Sequence, residues 1–344
     1  MSAPRRGSLT RRRVLGISAA ITGLGLVMPT ALARAAAPAG NLHVWRGVAL
    51  GADAMLILHD DDSARARRLI DMMLHEIARL EAIFSLYRAD SALVRLNTDG
   101  RLDAPPLDLV RLLELCRQLH HASGGAFDPT VQPLWVLLRR HFESAAHGAG
   151  NGPPAADLAQ VRERLGFAHV ECSGRRIAFA RAGMGLTLNG IAQGYIADRV
   201  CDLLYEEGVA RALIDLGEAR ALGEHPSGRP WRAAIPDPTG GTAPIEVPFR
   251  QGTLALATSS PYGTCFDSAA RFTHLFDPAS GESQAACRSV SVTAASAADA
   301  DGLSTALAVR PDVGARLIPA WPNAGARLLG LDGSAVTLGD WPAI

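Results

Sequence analysis

Two short stretches of the chain hold side chains whose types and spacing could do chemistry. In SAADADGLST, residues 296–305, Ser296 and Asp299 form an S-x-x-D pattern, the spacing of a capping box at a helix start. That accounts for Asp299 and leaves Asp301 unexplained. Asp301 and Thr305 lie four apart, which puts them one turn apart on one helix face. A carboxylate and a hydroxyl are hard oxygen ligands, suited to a Mg²⁺ ion that keeps further positions for water and phosphate oxygens. An acid in a first helical turn also serves simply to meet the helix dipole, and the pair alone leaves both readings open. The face is expected to look outward, so that losing Asp301 costs little stability. The second stretch is RFTHLFDPASGE, residues 271–282, with His274 in a β-like apolar run that closes on Asp277-Pro278 and Gly281. A histidine there is either a proton acceptor with a pKa near the working pH or a core residue bonded to a neighbouring carbonyl.

Two glycine-bearing stretches accompany them. GMGLTLNGIAQGYIAD, residues 183–198, gives Gly185-x-x-x-x-Gly190, but Ile191-Ala192 stands where a phosphate loop needs Lys and Ser/Thr. Nor does Gly183-x-Gly185 continue into a dinucleotide fingerprint. What survives is a strand ending in Asn189-Gly190 that feeds a helix N-terminus, where free amides favour an anion or simply form a turn. GGAFDPTVQPLW, residues 124–135, reads as a helix C-cap and turn, or as backbone open to a flat or anionic ligand.

The elements that must position these residues are mixed, and the fold class expected is α+β, mixed sheets and helices in one interlocked unit. Leu69, Ile70, Met73, Leu74, Ile77, Leu80, Ile83 and Phe84 recur at helical spacing from Ser63 onward. Further helices are expected over 107–122, 191–207 and 297–309. Strands are expected in MLIL (55–58), at 186–188, in ALIDLG, WRAAI, TLALATS, FTHLF and SVSVTAA, with a hairpin in HVECSGRRIAFA across Ser173-Gly174. Residues 147–156, HGAGNGPPAA, read as a surface loop.

The front of the chain has its own logic. Arg5, Arg6 and Arg11 to Arg13 precede an apolar run from Val14 to Met28, and Ala31 and Ala33 offer an A-x-A cleavage site. The run is too short and Gly-rich for a membrane span. Thr10-Arg11-Arg12-Arg13-Val14-Leu15 looks like a twin-arginine signal, so residues 1–33 are expected to be a signal peptide and 34–344 a periplasmic protein. Lys plus Arg and Asp plus Glu balance at 34 each, which argues against a sequence-independent grip on nucleic acid. Five cysteines carry no CxxC pair, and buried unpaired thiols are expected.

Taken together and in order, SLYRADSALVRLN, GGAFDPTVQPLW, LNGIAQGYIAD, LIDLGEARALG with PWRAAIPDP, LATSSPYG, RFTHLFDPASG and SVSVTAASAADADGLSTAL resemble the ApbE family. These are exported flavin transferases that attach FMN, taken from FAD, to a Ser or Thr of a target protein, and the resemblance covers nearly all of the chain beyond residue 33. It implies FAD as substrate, Mg²⁺ as cofactor and an exported acceptor with an FMN-binding domain as partner. It implies a Mg²⁺ site from the Gly190 carbonyl and the side chains of Asp301 and Thr305, with Ser304 where some relatives place another acidic ligand. It implies FAD contacts at Tyr87, Ala126, Phe127, Asp128, Thr187, Gln193 and Phe276, with Leu50 near the flavin entrance. His274 matches the histidine of the family's S/T-H-x-x-D-P segment, and would take the proton of the target hydroxyl as its oxygen attacks phosphorus.

The chain departs from the family pattern in four places. Thr187 stands where relatives often have an acid, Gln193 where they have Lys, Glu218 at the second glycine of an L-G-G stretch, and Ser259-Ser260 where S-G follows the A-T. They support one rival function, an exported FAD carrier or maturation factor that transfers nothing; a second rival is an FAD pyrophosphatase that uses water as acceptor.

Overall fold

Asp62 starts the first long helix, its carboxylate accepting from Ala64 N at 2.7 Å and Arg65 N at 3.2 Å. The apolar residues three and four apart behind it become one buried stripe, Leu69, Met73, Ile77, Leu80, Ile83 and Phe84. The computed structural model describes residues 41–49, 51–144, 152–237, 243–250, 254–283 and 285–342. The signal segment, Leu50 and residues 147–151 of the 147–156 loop lie outside them. In chain order the elements are β1 (Leu42–Ala49), β2 (Ala52–His59), α1 (Ser63–Phe84), α2 (Ala92–Asp99), β3 (Arg101–Asp103), α3 (Leu107–Ser123), α4 (Gln132–Glu143) and α5 (Ala155–Arg162). Then come β4 (Val170–Cys172), β5 (Arg176–Phe179), α6 (Ala192–Glu206), β6 (Ala212–Asp215), β7 (Ala219–Leu222), β8 (Arg232–Ile235) and β9 (Ile245–Pro248). Last are β10 (Ala255–Ser259), β11 (Ser289–Ala294), α7 (Ala297–Val309), α8 (Gly314–Leu317), β12 (Gly325–Leu329) and β13 (Ala335–Gly339).

The α+β expectation holds. An eight-stranded antiparallel sheet has the order β1-β2-β6-β7-β10-β11-β12-β13. Strand alternation sorts β2 between two cores. Leu56 and Leu58 join Ile214, Val290 and Val292 under the helices α1, α3, α6 and α7. Met55 and Ile57 join Leu213 and Leu256 against the β8-β9 hairpin, which contributes Trp231, Ile235, Val247 and Phe249. A third cluster sits between α4, α5 and the 261–283 segment, built on Leu134, Leu138, Val161, Leu165 and Phe276. Among the described residues no helix is long and apolar enough to cross a membrane. All five cysteines are unpaired; Cys116, Cys201 and Cys287 are buried and Cys265 is exposed.

Two expected strands are irregular instead. FTHLF has a single bridge, Cys265 to Thr273, because side chains take over the ladder's role. Asp267 accepts from Arg271 N and Phe272 N, and Thr273 Oγ1 donates to Ser283 O at 3.0 Å while accepting from Leu275 N. At 186–188 the Asn97 amide substitutes for a neighbouring strand, donating to Leu186 O and accepting from Leu186 N, both at 2.8 Å.

Candidate active site

Four segments converge where α6 begins. Gly190 ends the irregular 183–190 run just before α6, and Thr305 on α7 donates to its carbonyl at 3.3 Å. Any side chain at 190 would put Cβ 2.8 Å from Thr305 Oγ1, so glycine is what lets the two oxygens meet. Gly194 does the same for the helix pair: a Cβ there would lie 2.3 Å from Ala297 O. One turn before Thr305, Asp301 accepts from Gly194 N through Oδ2 at 3.2 Å. Ser304 is buried, and its hydroxyl donates to Asp301 O at 2.9 Å and sits 2.7 Å from Ser259 Oγ at the end of β10. Ser259 Oγ is also 3.4 Å from Thr305 Oγ1. Gly190, Asp301, Ser304 and Thr305, named from the sequence, therefore share one place, with Ser259 added by the fold.

The capping box is real in part: Ser296 Oγ accepts from Asp299 N at 3.1 Å. Asp198, on α6, finishes the cap by accepting from Ala297 N at 2.8 Å and Ala298 N at 2.9 Å, with Arg220 Nε 3.1 Å away. Asp301 does not face outward as its position in the sequence suggests; it is 4 % exposed. Helix α7 is apolar nearly all round, so the turn after its cap is sealed between α6 and the sheet.

Electrostatics follow from that sealing. Burial, opposed by the Gly194 N–H and reinforced by Asp198, pushes the Asp301 carboxyl up to about 7. Burial likewise lifts Asp215, at the end of β6, to about 6, and Asp198 to about 6 despite Arg220. Glu218, in the turn between β6 and β7, is held well above the carboxylate range by burial first and by Asp301 and Asp215 next. Gln193 Nε2 donates to Leu216 O at 3.0 Å and packs on Gly217. Among the described residues no three His, Cys, Asp or Glu side chains form a metal cage. The donor set is instead mixed: the Gly190 carbonyl, the Asp301 carboxylate, the Thr305 hydroxyl and the neighbouring serines. Hard oxygens on a buried, raised carboxylate fit a Mg²⁺ ion that retains water and phosphate ligands.

His274 stands in the 261–283 segment and is tied to Thr264, five residues beyond the serine that ends β10. Its Nδ1 donates to Thr264 O at 3.2 Å, and its own N–H donates to the same carbonyl at 3.1 Å. A carbonyl only accepts, so Nδ1 carries the proton and Nε2 keeps a lone pair. Burial lowers its pKa, opposed by the Thr264 carbonyl. The carbonyl-bonded reading of His274 is what the structure shows, with Nε2 left free of that bond.

The remaining residues implied for FAD lie in several segments of the fold. Asp128 is committed to the chain, with Oδ1 accepting from Thr130 N at 2.8 Å and Thr130 Oγ1 at 2.6 Å, and Oδ2 from Phe167 N at 3.2 Å. Ala126 and Phe127 are buried beside it, while Gly124 is the left-handed cap of α3, so the C-cap reading of that stretch holds. Thr187 N donates to Pro129 O at 2.8 Å, which ties the 126–129 turn to the run ending at Gly190. Asp128 and Pro278, two residues after the buried Phe276, line one cavity of about 390 Å³. A larger cavity of about 670 Å³ is lined by Leu86, Asn97, Gln132, Arg140, Arg164 and Gly185 among others; Tyr87, beside it in sequence, is 66 % exposed. Leu50 lies outside the described residues. Asp198 and Asp215 were not singled out from the sequence, where nothing links a lone acid on α6 or β6 to residues a hundred positions away.

Comparison with known proteins decides the lineage: a sequence profile of the ApbE family matches residues 50–325. The chain belongs to the ApbE family. A relative from Klebsiella pneumoniae (strain 342), named FAD:protein FMN transferase, is 27 % identical over 283 residues, covering 80 % of each chain. A Treponema pallidum protein of the same name is 32 % identical over 245 residues, 66 % of this chain and 67 % of its own. The crystal structure of Pseudomonas stutzeri flavinyl transferase ApbE in its apo form is 30 % identical, with a TM-score of 0.71, covering 87 % of this chain and 94 % of that one. The fold is shared more widely: the Vibrio cholerae flavin transferase ApbE superposes with a TM-score of 0.72 at 22 % identity.

Proposed function

We propose that this ApbE-family protein is a flavin transferase that moves FMN from FAD to a Ser or Thr hydroxyl of an acceptor protein and releases AMP, with Mg²⁺ as cofactor. The relatives' shared name supports flavin transfer to protein. The observation that carries the finer reading is the meeting of Gly190 O, the buried Asp301 and Thr305 Oγ1 at the start of α6, a place rich in hard oxygens.

When bound, Mg²⁺ would neutralise charge on the phosphates as AMP departs. The chain's own residues do the rest. Asp301 and Thr305, held on one face of α7, orient the site through Gly194 N–H and Gly190 O. Thr264 O fixes the His274 ring so that Nε2 accepts the acceptor hydroxyl's proton. The oxygen so freed bonds to the FMN phosphorus, the bond to the AMP phosphate breaks, and AMP leaves with that electron pair. In the same reading residues 1–33 are a twin-arginine signal and the protein works in the periplasm on an exported acceptor with an FMN-binding domain.

Incubation with FAD, Mg²⁺ and such a domain tests this. Covalently flavinylated acceptor supports it; free FMN and AMP beside unmodified acceptor indicate a pyrophosphatase, and unchanged FAD a carrier.

A further inference from the structure

We propose that Glu218 is a further ligand of the divalent cation, completing with Asp301 a pair of carboxylates on the metal. The inference rests on the metal reading above and extends it to a residue outside the expected ligand set. Glu218 follows Gly217, whose φ of +99° turns the chain between β6 and β7. It is 7 % exposed, and its Oε2 has no hydrogen-bond partner among the described residues. The other contact to the carboxyl comes from the Thr258 N–H on β10. An ionised Oε2 in that position lacks a counter-charge, and a protonated one lacks an acceptor for its O–H. Neither state is satisfied by the protein, and buried polar groups left so are rare in folded chains.

The surroundings say what is missing. The charges that act most on Glu218 are Asp301 and then Asp215, both negative. Gln193, packed against the same turn, is neutral and spends its Nε2 on Leu216 O. Arg220, two residues away, is engaged by Asp198 and by the Ala295 carbonyl. The turn is bracketed by residues that already touch the metal candidates. Thr258 precedes Ser259, which contacts Ser304 and Thr305; Gln193 precedes Gly194, which donates to Asp301. Ser304 offers a hydroxyl where a second acid could have stood on α7, and Glu218 brings one from the sheet. Two carboxylates with carbonyl and hydroxyl oxygens form a set for Mg²⁺ or Mn²⁺ rather than for a thiolate- or imidazole-loving metal.

Mn²⁺ is the probe, because its free and bound forms are separated by electron paramagnetic resonance without any turnover. The full mature chain, Glu218→Gln and Glu218→Asp are titrated with Mn²⁺, and melting temperatures are recorded with and without Mg²⁺. Glu218→Gln should bind Mn²⁺ at least roughly 10-fold more weakly, since losing even an outer-shell partner costs a metal site about that much, and its melting temperature should rise less with Mg²⁺ than that of wild type. Glu218→Asp keeps the charge but draws it back by one methylene, so it should fold and bind with intermediate affinity. Wild-type Mn²⁺ affinity in either folded variant overturns the assignment of Glu218 while leaving the metal site standing. A wild-type chain that binds no Mn²⁺ overturns the metal reading itself, and Glu218 with it.

Discussion

Replacing Asp301 by Asn keeps the side chain's shape and an oxygen for the Gly194 N–H, and deletes only the charge. Burial lifts this carboxyl from 3.8 to about 7 in the metal-free protein. Folding therefore works against its ionisation, by on the order of 4 kcal/mol near pH 8 at 1.4 kcal/mol per pK unit. The folded chain holds a proton that the unfolded chain has already lost between about pH 4 and pH 7. Wild-type stability without metal must then fall as pH rises through that window, and the Asn variant, which does not titrate, must lack this part of the fall. Near pH 8 the variant should melt several degrees above wild type without metal, at roughly 2 °C per kcal/mol for a chain of this size; near pH 4 the two should coincide. Mg²⁺ at a hundred times its Kd should close most of that gap, since binding then adds about 2.7 kcal/mol to the wild type and little to the variant. Differential scanning calorimetry at the two pH values, with and without Mg²⁺, measures all four melting points. A metal-free variant less stable than wild type near pH 8 would refute the reasoning, because the carboxylate would then be an anchor rather than a strained ligand.

His274→Asn should keep a donor for Thr264 O and lose the basic nitrogen, so transfer falls roughly 10²–10⁴-fold while FAD binding, read by fluorescence titration, is retained. Because burial lowers the His274 pKa, the wild-type rate should drop only on the acid side, below the ordinary histidine value of about 6.5, and the Asn variant should lose that limb of the pH–rate profile. Gly190→Ala drives a methyl to within 2.8 Å of Thr305 Oγ1 and 2.9 Å of its Cγ2; Mg²⁺-induced stabilisation should shrink in a folded protein, checked by thermal shift. Replacing Arg11 and Arg12 by Lys should leave the precursor in the cytoplasm, as fractionation and immunoblotting would report; normal export would sink the twin-arginine route.

What the sequence discloses about this fold is uneven for physical reasons. The α1 stripe, the Ser296 cap and the β2, β6, β10 and β11 strands announce themselves because their signals are local: helical spacing, a hydroxyl three residues before an acid, short apolar runs that become almost wholly buried. FTHLF misleads because its composition is that of a strand while its backbone is held by Asp267 and Thr273 side chains. Asp301 and Thr305 are readable as a pair since one helix turn joins them, but the depth at which Asp301 lies is set by α6 and the sheet, which no local pattern records. Glu218 is visible in the sequence only as an odd residue in a turn. Its unpartnered oxygen and its closeness to Asp301 exist only after β7 has been laid beside β10.

The central claim is that phosphorus passes from FAD to protein at this site, and one measurement tests it directly. An acceptor domain with an FMN-binding segment is incubated with the mature protein and FAD, with and without Mg²⁺, and AMP is quantified against FMN attached to the acceptor by intact mass. The account predicts one AMP for each FMN attached, none of either without Mg²⁺, and an adduct on a Ser or Thr that disappears when that residue is Ala. AMP released in step with free FMN, while the acceptor mass stays unchanged, would contradict it.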